Sequence, residues 1–236
     1  MKIGLLSYRS HPYSGGQGIY VKHLSKALSV LGHDVSVLSG PPYPELDNEI
    51  ELVKIPSLGM FETEERAKLF SLSLLLRPLD LYEWLTVMTG GFPEPYTFGK
   101  RAYKYLKSKE KSFDVILDNQ SLASSLLDIQ KIYPLAVTIH HPITKDHKLE
   151  MESAINWKEK LSSIRWHNFL SMQKKVAPKL NKIITVSNAS KKDIVEEFKV
   201  DSRNVEVILN GIDIDTYKPG PSYLRKENMI ITTASA

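Results

Sequence analysis

Short apolar runs alternate with stretches in which apolar residues recur every three or four positions, and the alternation repeats along the chain. The runs read as buried strands and the periodic stretches as amphipathic helices. Together they predict an α/β fold: a Rossmann-like, mostly parallel sheet with helices on both faces. The first unit is the clearest. Residues 2–7 predict a strand, and a loop rich in Gly, Ser and Pro covers 8–18. Ile19, Val21, Leu24, Ala27, Leu28 and Leu31 then follow helical spacing, with Gly32 as a stop signal. Strands are expected over 34–39 and 49–55, and helices over 64–76, 79–88 and 96–106. Strands over 113–117 and 135–139 flank a helix over 122–130. One long polar helix covers 149–176. A strand over 182–186, a helix over 190–198 with Ser190 and Asp193 as a capping box, and a strand over 204–209 follow. A last strand is expected over 229–233, beyond the Pro219-Gly220-Pro221 linker.

Composition narrows the classes. With 236 residues, 42% apolar and 25% charged, the chain can bury a sizeable core without staples. The absence of cysteine excludes a disulfide framework, a thiolate metal site and a cysteine nucleophile, and fits a cytoplasmic protein. No stretch approaches the roughly 20 apolar residues of a membrane span. The most apolar region, 69–88, is interrupted by Arg77, Pro78, Asp80 and Glu83. The net charge of +4 reads as a solvated basic surface or as affinity for an anionic lipid or phosphorylated substrate. No arginine-rich run is present, so nucleic acid is not an expected partner.

The loop Gly15-Gly16-Gln17-Gly18 lies between the first strand and the first helix. Glycines there let backbone N–H groups approach an anion, and the helix N-terminus favours negative charge. A loop that only needs room to turn is the alternative. The spacing departs from G-x-G-x-x-G, and the second strand ends Leu38-Ser39-Gly40 with no acidic residue for a ribose. An NAD-linked oxidoreductase domain is therefore disfavoured. His140, where a strand ends, is a candidate for sugar or phosphate contact. A satisfied structural histidine is its alternative. His141 points to the opposite face of an extended chain. A metal site from His140, His141, Asp146 and His147 matches no standard ligand spacing, so no metal is expected.

These residues carry a resemblance. Gly15-Gly16 before an amphipathic helix, then Leu31-Gly32-His33-Asp34-Val35, resembles the opening of family-four (group 1) glycosyltransferases of GT-B fold. Ile184-Thr185-Val186-Ser187, Asp193-Ile194, Phe198-Lys199-Val200, Val205 to Asp213 with its Asn-Gly-Ile-Asp turn, and Tyr217-Lys218-Pro219 follow the same family's pattern in order. Thr138-Ile139-His140-His141-Pro142 is a third match.

The resemblance implies an N-terminal, acceptor-side domain over 1–216, an interdomain linker over 217–228, and the start of a truncated donor-binding domain over 229–236. It implies a retaining, hexosyltransferase-type enzyme. Such an enzyme moves a sugar from a nucleotide-sugar donor to a hydroxyl of a sugar or lipid-linked acceptor, without a cofactor. By the same resemblance, Gly15 and Gly16 lie against the donor diphosphate, and His140 is the catalytic-site candidate. Gln17, Ser187, Asn210 and Asp213 are cleft or acceptor candidates, with helix capping the rival role for Ser187 and a structural turn for Asn210 to Asp213. Gly211 is expected to take a positive φ. The isolated chain is expected to be inactive. A non-catalytic module that binds a glycan, lipid or partner is the rival reading. Basic residues Lys158, Lys160, Arg165, Lys174 and Lys175 beside Trp166, together with 69–88, suggest peripheral membrane contact or an ordinary solvated surface.

Overall fold

The computed structural model describes residues 1–109, 111–214 and 217–220. Most of the expected linker, and the strand expected over 229–233, lie outside the described residues. The rest forms one parallel sheet of seven strands in the order β3-β2-β1-β4-β5-β6-β7. The strands are β1 (Lys2–Ser7), β2 (Asp34–Ser39), β3 (Glu51–Lys54), β4 (Val115–Asn119), β5 (Leu135–Thr138), β6 (Ile183–Thr185) and β7 (Val205–Val207). Every neighbouring pair runs parallel. The five residues of β1 after Lys2 are all buried, as expected for a strand covered on both faces.

The helices divide between the faces. Val21, Leu24 and Leu28 of α1 (Gly16–Val30) pack with Ile3, Leu5, Val35 and Val37 on one side. Most of the remaining core lies under α3 (Glu94–Ser108), α4 (Leu126–Ile132), α7 (Phe169–Val176) and α8 (Asn188–Phe198), around Leu6, Leu38, Ile116, Leu126 and Phe198. The chain winds outward from β1 to β3, then crosses back to β4 and winds the other way. The carboxyl ends of β1 and β4 therefore bound a topological switch point, where open α/β sheets bind ligands.

Several elements differ from their sequence expectation. The helix expected over 64–76 is two 3-10 turns, Arg66–Leu69 and Leu72–Leu76. Only Leu74 is buried in them, so no apolar stripe draws a full helix onto the core. The single helix expected over 149–176 is three: α5 (Thr144–Ser153), α6 (Trp157–Trp166) and α7. Asn156 caps α6 by accepting from the N–H groups of Lys158 and Glu159, which stops the helix before it. The remaining helix, α2 (Pro78–Met88), opens on proline at its first position. The cap of α8 is Ser187, not Ser190: Ser187 Oγ accepts from Ser190 N at 3.0 Å, while Asp193 pairs with Lys145 at 2.6 Å. Gly32 ends α1 at φ 85°, with His33 N donating to Leu28 O. Gly211 is not among the positive-φ glycines, so its expected turn conformation is corrected.

Candidate functional site

The site grows from the ends of β1, β4 and β5. After β1 the chain enters a loop pinned by buried hydroxyls. Ser10 Oγ donates to Ser7 Oγ at 2.8 Å, Ser39 Oγ donates to Ser10 Oγ at 3.1 Å, and Ser10 N donates to Pro42 O at 2.9 Å. The loop returns at Gly15, which sits at φ 67° as the residue before α1, and Gly16 opens the helix. Both glycines are exposed, and a Cβ on either would meet nothing within 4 Å. Their freedom is therefore open space at a helix N-terminus. Gly18 is the tight position: its Cβ would lie 2.2 Å from His11 O and 2.6 Å from Ser10 O.

Gln17 and Tyr20, three apart on α1, face the strand ends. Gln17 Nε2 donates to the Tyr8 hydroxyl at 3.2 Å, and Gln17 Oε1 is buried with no hydrogen-bond partner. Burial pushes the Tyr8 hydroxyl up to about 12, against the lowering pull of Gln17, so it stays protonated. The Tyr20 ring meets the His140 imidazole edge-on, centroids 4.6 Å apart. That contact brings the start of α1 and the end of β5 into one crevice.

His140 is half-buried and fixed by residues at and just after the end of β4. Its ring Nε2 lies 2.8 Å from Asn119 Oδ1, and its backbone N–H donates to Gln120 Oε1 at 2.8 Å. Gln120 Nε2 in turn donates to His141 O at 3.0 Å. With the amide oxygen facing the ring, Nε2 carries the hydrogen and Nδ1 is left as an acceptor. Burial, then the neighbouring His141, holds His140 below the usual histidine range. The imidazole is therefore uncharged at neutral pH and suited to accept a hydrogen bond from a hydroxyl.

The loop after β4 lies at the same rim. Buried Asp118 accepts from Ser121 Oγ at 2.5 Å and Ser121 N at 2.9 Å. Burial raises its carboxyl to about 6, partly offset by these bonds. Gln120 and Leu122 adopt positive φ, 57° and 49°. This left-handed bend delays α4 to Leu126, later than the expected helix start at 122. Asn119 Nδ2 is buried without a partner. Sequence reading missed Asp118, Asn119 and Gln120. The available signal was a polar run directly after an apolar strand at the switch point.

The other candidates sit further along the same rim. Ser187 follows β6, one strand from His140, and acts as the α8 cap. Asn210 and Asp213 follow β7, two strands away and about 10 Å to the side. Both are exposed, and Tyr217 N donates to Asp213 O at 2.9 Å. His140, His141, Asp146 and His147 do not converge on one point. His141 pairs with Asp146 at 3.5 Å, whereas His147 stacks on His167 at 4.6 Å. Among the described residues, no group of three or more His, Asp or Glu is placed to hold a metal ion.

A parallel sheet with a glycine-opened helix and polar residues gathered at its switch point defines an open α/β architecture with a candidate ligand site at the carboxyl edge. The chain belongs to glycosyltransferase family 4, whose sequence model matches residues 14–216. It is similar to an MMP alpha-(1->4)-mannosyltransferase of Mycolicibacterium hassiacum, 44% identical over 238 residues. That match covers 100% of this chain but 57% of the relative's length. Among solved structures, WaaG, a glycosyltransferase involved in lipopolysaccharide biosynthesis, superposes with a TM-score of 0.51 at 14% identity. The superposition covers 90% of this chain and 46% of WaaG, and it concerns the fold. No helix among the described residues is long and apolar enough to cross a membrane.

Proposed function

We propose that this chain is the acceptor-side half of a retaining hexosyltransferase that moves a sugar from a nucleotide donor to an acceptor hydroxyl. The observation that supports this most is the Tyr20–His140 contact, which joins the glycine-opened helix to the imidazole in one crevice. In this reading the N–H groups at Gly15 and Gly16 and the helix dipole face the leaving diphosphate, with no metal required. Gln17 Oε1, Asn119 Nδ2 and His140 Nδ1 face sugar hydroxyls, and the reaction proceeds by positioning and electrostatic support. Ser187, Asn210 and Asp213 lie along the rim that a second half would close over. The span of 57% of the mannosyltransferase relative supports a half-site, so the isolated chain is expected to be inactive.

Nucleotide sugars should be turned over by a full-length protein carrying both halves and not by chain 1–236. His140→Ala in the full-length protein should lower kcat by about 10²–10³-fold, the loss typical of one preorganised group. Turnover by chain 1–236 would overturn the half-site. Unchanged turnover in His140→Ala would overturn the role of the crevice.

The reading extends to peripheral membrane contact in the cytoplasm. It is supported by exposed Ile155 and Trp157 beside Lys158 and Lys160. Co-sedimentation with vesicles of anionic phospholipid checks it. Equal recovery with neutral and anionic vesicles, or none with either, would remove it.

A further inference from the structure

His140 is held twice, once through its backbone and once through its ring, and both holds come from the residues that leave β4. The strand register sets this up. Asn119, the last residue of β4, pairs with Thr138, the last residue of β5, so His140 lies just past the end of the ladder. Beyond that pair, side chains take over from backbone pairing. Gln120 Oε1 accepts from His140 N at 2.8 Å, and Gln120 Nε2 donates to His141 O at 3.0 Å. One amide thus clamps the peptide between the two histidines from both ends. Gln120 is buried and sits at a left-handed φ of 57°. Asp118 supports that bend by accepting from the N–H groups of Ser121 and Leu122.

The ring is held separately. Asn119 Oδ1 lies 2.8 Å from Nε2, and Tyr20 of α1 closes edge-on against the imidazole, centroids 4.6 Å apart. The other ring nitrogen, Nδ1, takes no hydrogen bond among the described residues and is not enclosed by them. One nitrogen is committed to the protein and the other is available.

Asn119 suits this task better than it suits folding. It is buried, and its Nδ2 has no hydrogen-bond partner. A buried polar group left open is destabilising, and a small apolar residue would end β4 without that cost. What the amide contributes is its Oδ1. The kind of group matters as well. A carboxylate in the same place would favour the imidazolium, whereas an amide orients the ring and leaves it neutral.

We propose that Asn119 is the positioning residue of His140: its Oδ1 fixes the ring with the hydrogen on Nε2 and turns Nδ1 outward as an acceptor, while Gln120 anchors the backbone that carries the ring. The assignment rests on the function proposed above and deepens it. In these roles both residues act through the imidazole.

Nitrogen NMR of chain 1–236 labelled at histidine tests this, with the His140 signals identified by their loss in His140→Gln. At about pH 8 the parent should carry its ring proton on Nε2 and none on Nδ1, and the Nε2–H signal should survive exchange with water. In Asn119→Ala that signal should be lost to exchange. Asn119→Asp keeps the shape and should raise the pH at which the ring takes up a second proton by about one unit or more. A proton on Nδ1 in the parent, or an equally protected Nε2–H in Asn119→Ala, overturns the proposal. Melting curves check that each variant folds. Asn119→Asp carries the test if Asn119→Ala does not fold, and an unshifted ring then overturns it. In the full-length protein, Asn119→Ala should lower kcat by about 10- to 100-fold. Asn119→Asp should move the acid limb of the pH profile upward with the ring, which a merely structural amide would not do. Unchanged kcat in Asn119→Ala, in a full-length protein that turns over, overturns the proposal and keeps the transferase reading. A ring held as expected beside a full-length protein without turnover overturns that reading and keeps the assignment of the ring proton.

Discussion

Glu94 occupies a position that charge disfavours. Burial raises its carboxyl to about 7 from an ordinary 4.5, against the lowering pull of Arg9 and with a small push from Glu83 and Glu62. In the unfolded chain it ionises near the ordinary value. Between the two values the folded protein holds a proton that the unfolded chain has lost. The stability contributed by the neutral carboxyl is therefore complete below about pH 4.5 and is lost as pH rises through about 7. Glu94→Gln keeps the shape and removes the charge. It should gain about 2–3 kcal/mol over the parent at pH 8, and the gain should vanish near pH 4.5. Urea unfolding at the two pH values measures it. A gain of equal size at both would show that the carboxyl is not held neutral by its surroundings.

At the scale of elements, the join between β1 and α1 separates a glycine that packing requires from two that stand in open space. Gly18→Ala would drive a methyl into the His11 and Ser10 carbonyls, so backbone must move. It should destabilise the chain by about 3 kcal/mol or more, in the range of severe overpacking. Gly16→Ala meets open space at an ordinary φ and should leave the melting temperature nearly unchanged. If Gly16 lies against a diphosphate, the same variant should still weaken nucleotide-sugar binding. A large stability loss in Gly16→Ala, or none in Gly18→Ala, would reverse these assignments. The three glycines look alike in sequence, because which one meets another backbone depends on the return path of the 8–18 loop. Strands β1 and β2 were legible to the residue, since their apolar runs are bounded by a loop and by Gly40-Pro41. The region 64–76 and the break at Asn156 were not. The first lacks a buried stripe, and the second depends on one amide choosing to cap.

For the whole molecule, the parallel α/β class and the side of the sheet that carries the site followed from alternation alone, because parallel strands send all their carboxyl ends to one rim. That Gly15, Gly16, Gln17 and His140 lie at one rim could be read from motif and position. The Asn119–Gln120 cradle that fixes His140 could not, because it arises where β4, late in sequence, inserts beside β1. The burial of Glu94 was equally hidden, because its surroundings come from four separate segments and nothing local distinguishes it from a helix-opening glutamate on the surface.

The uniform direction of the strands also tells an engineer where the chain can be altered safely. The turn at Gly32-His33 and the one after Lys199, which takes a left-handed φ of 57°, both lead towards strand starts, on the far side of the sheet from the Gly15–His140 rim. A fluorescent reporter or an affinity handle spliced into either turn would sit a full strand's length from that rim and leave its contacts undisturbed.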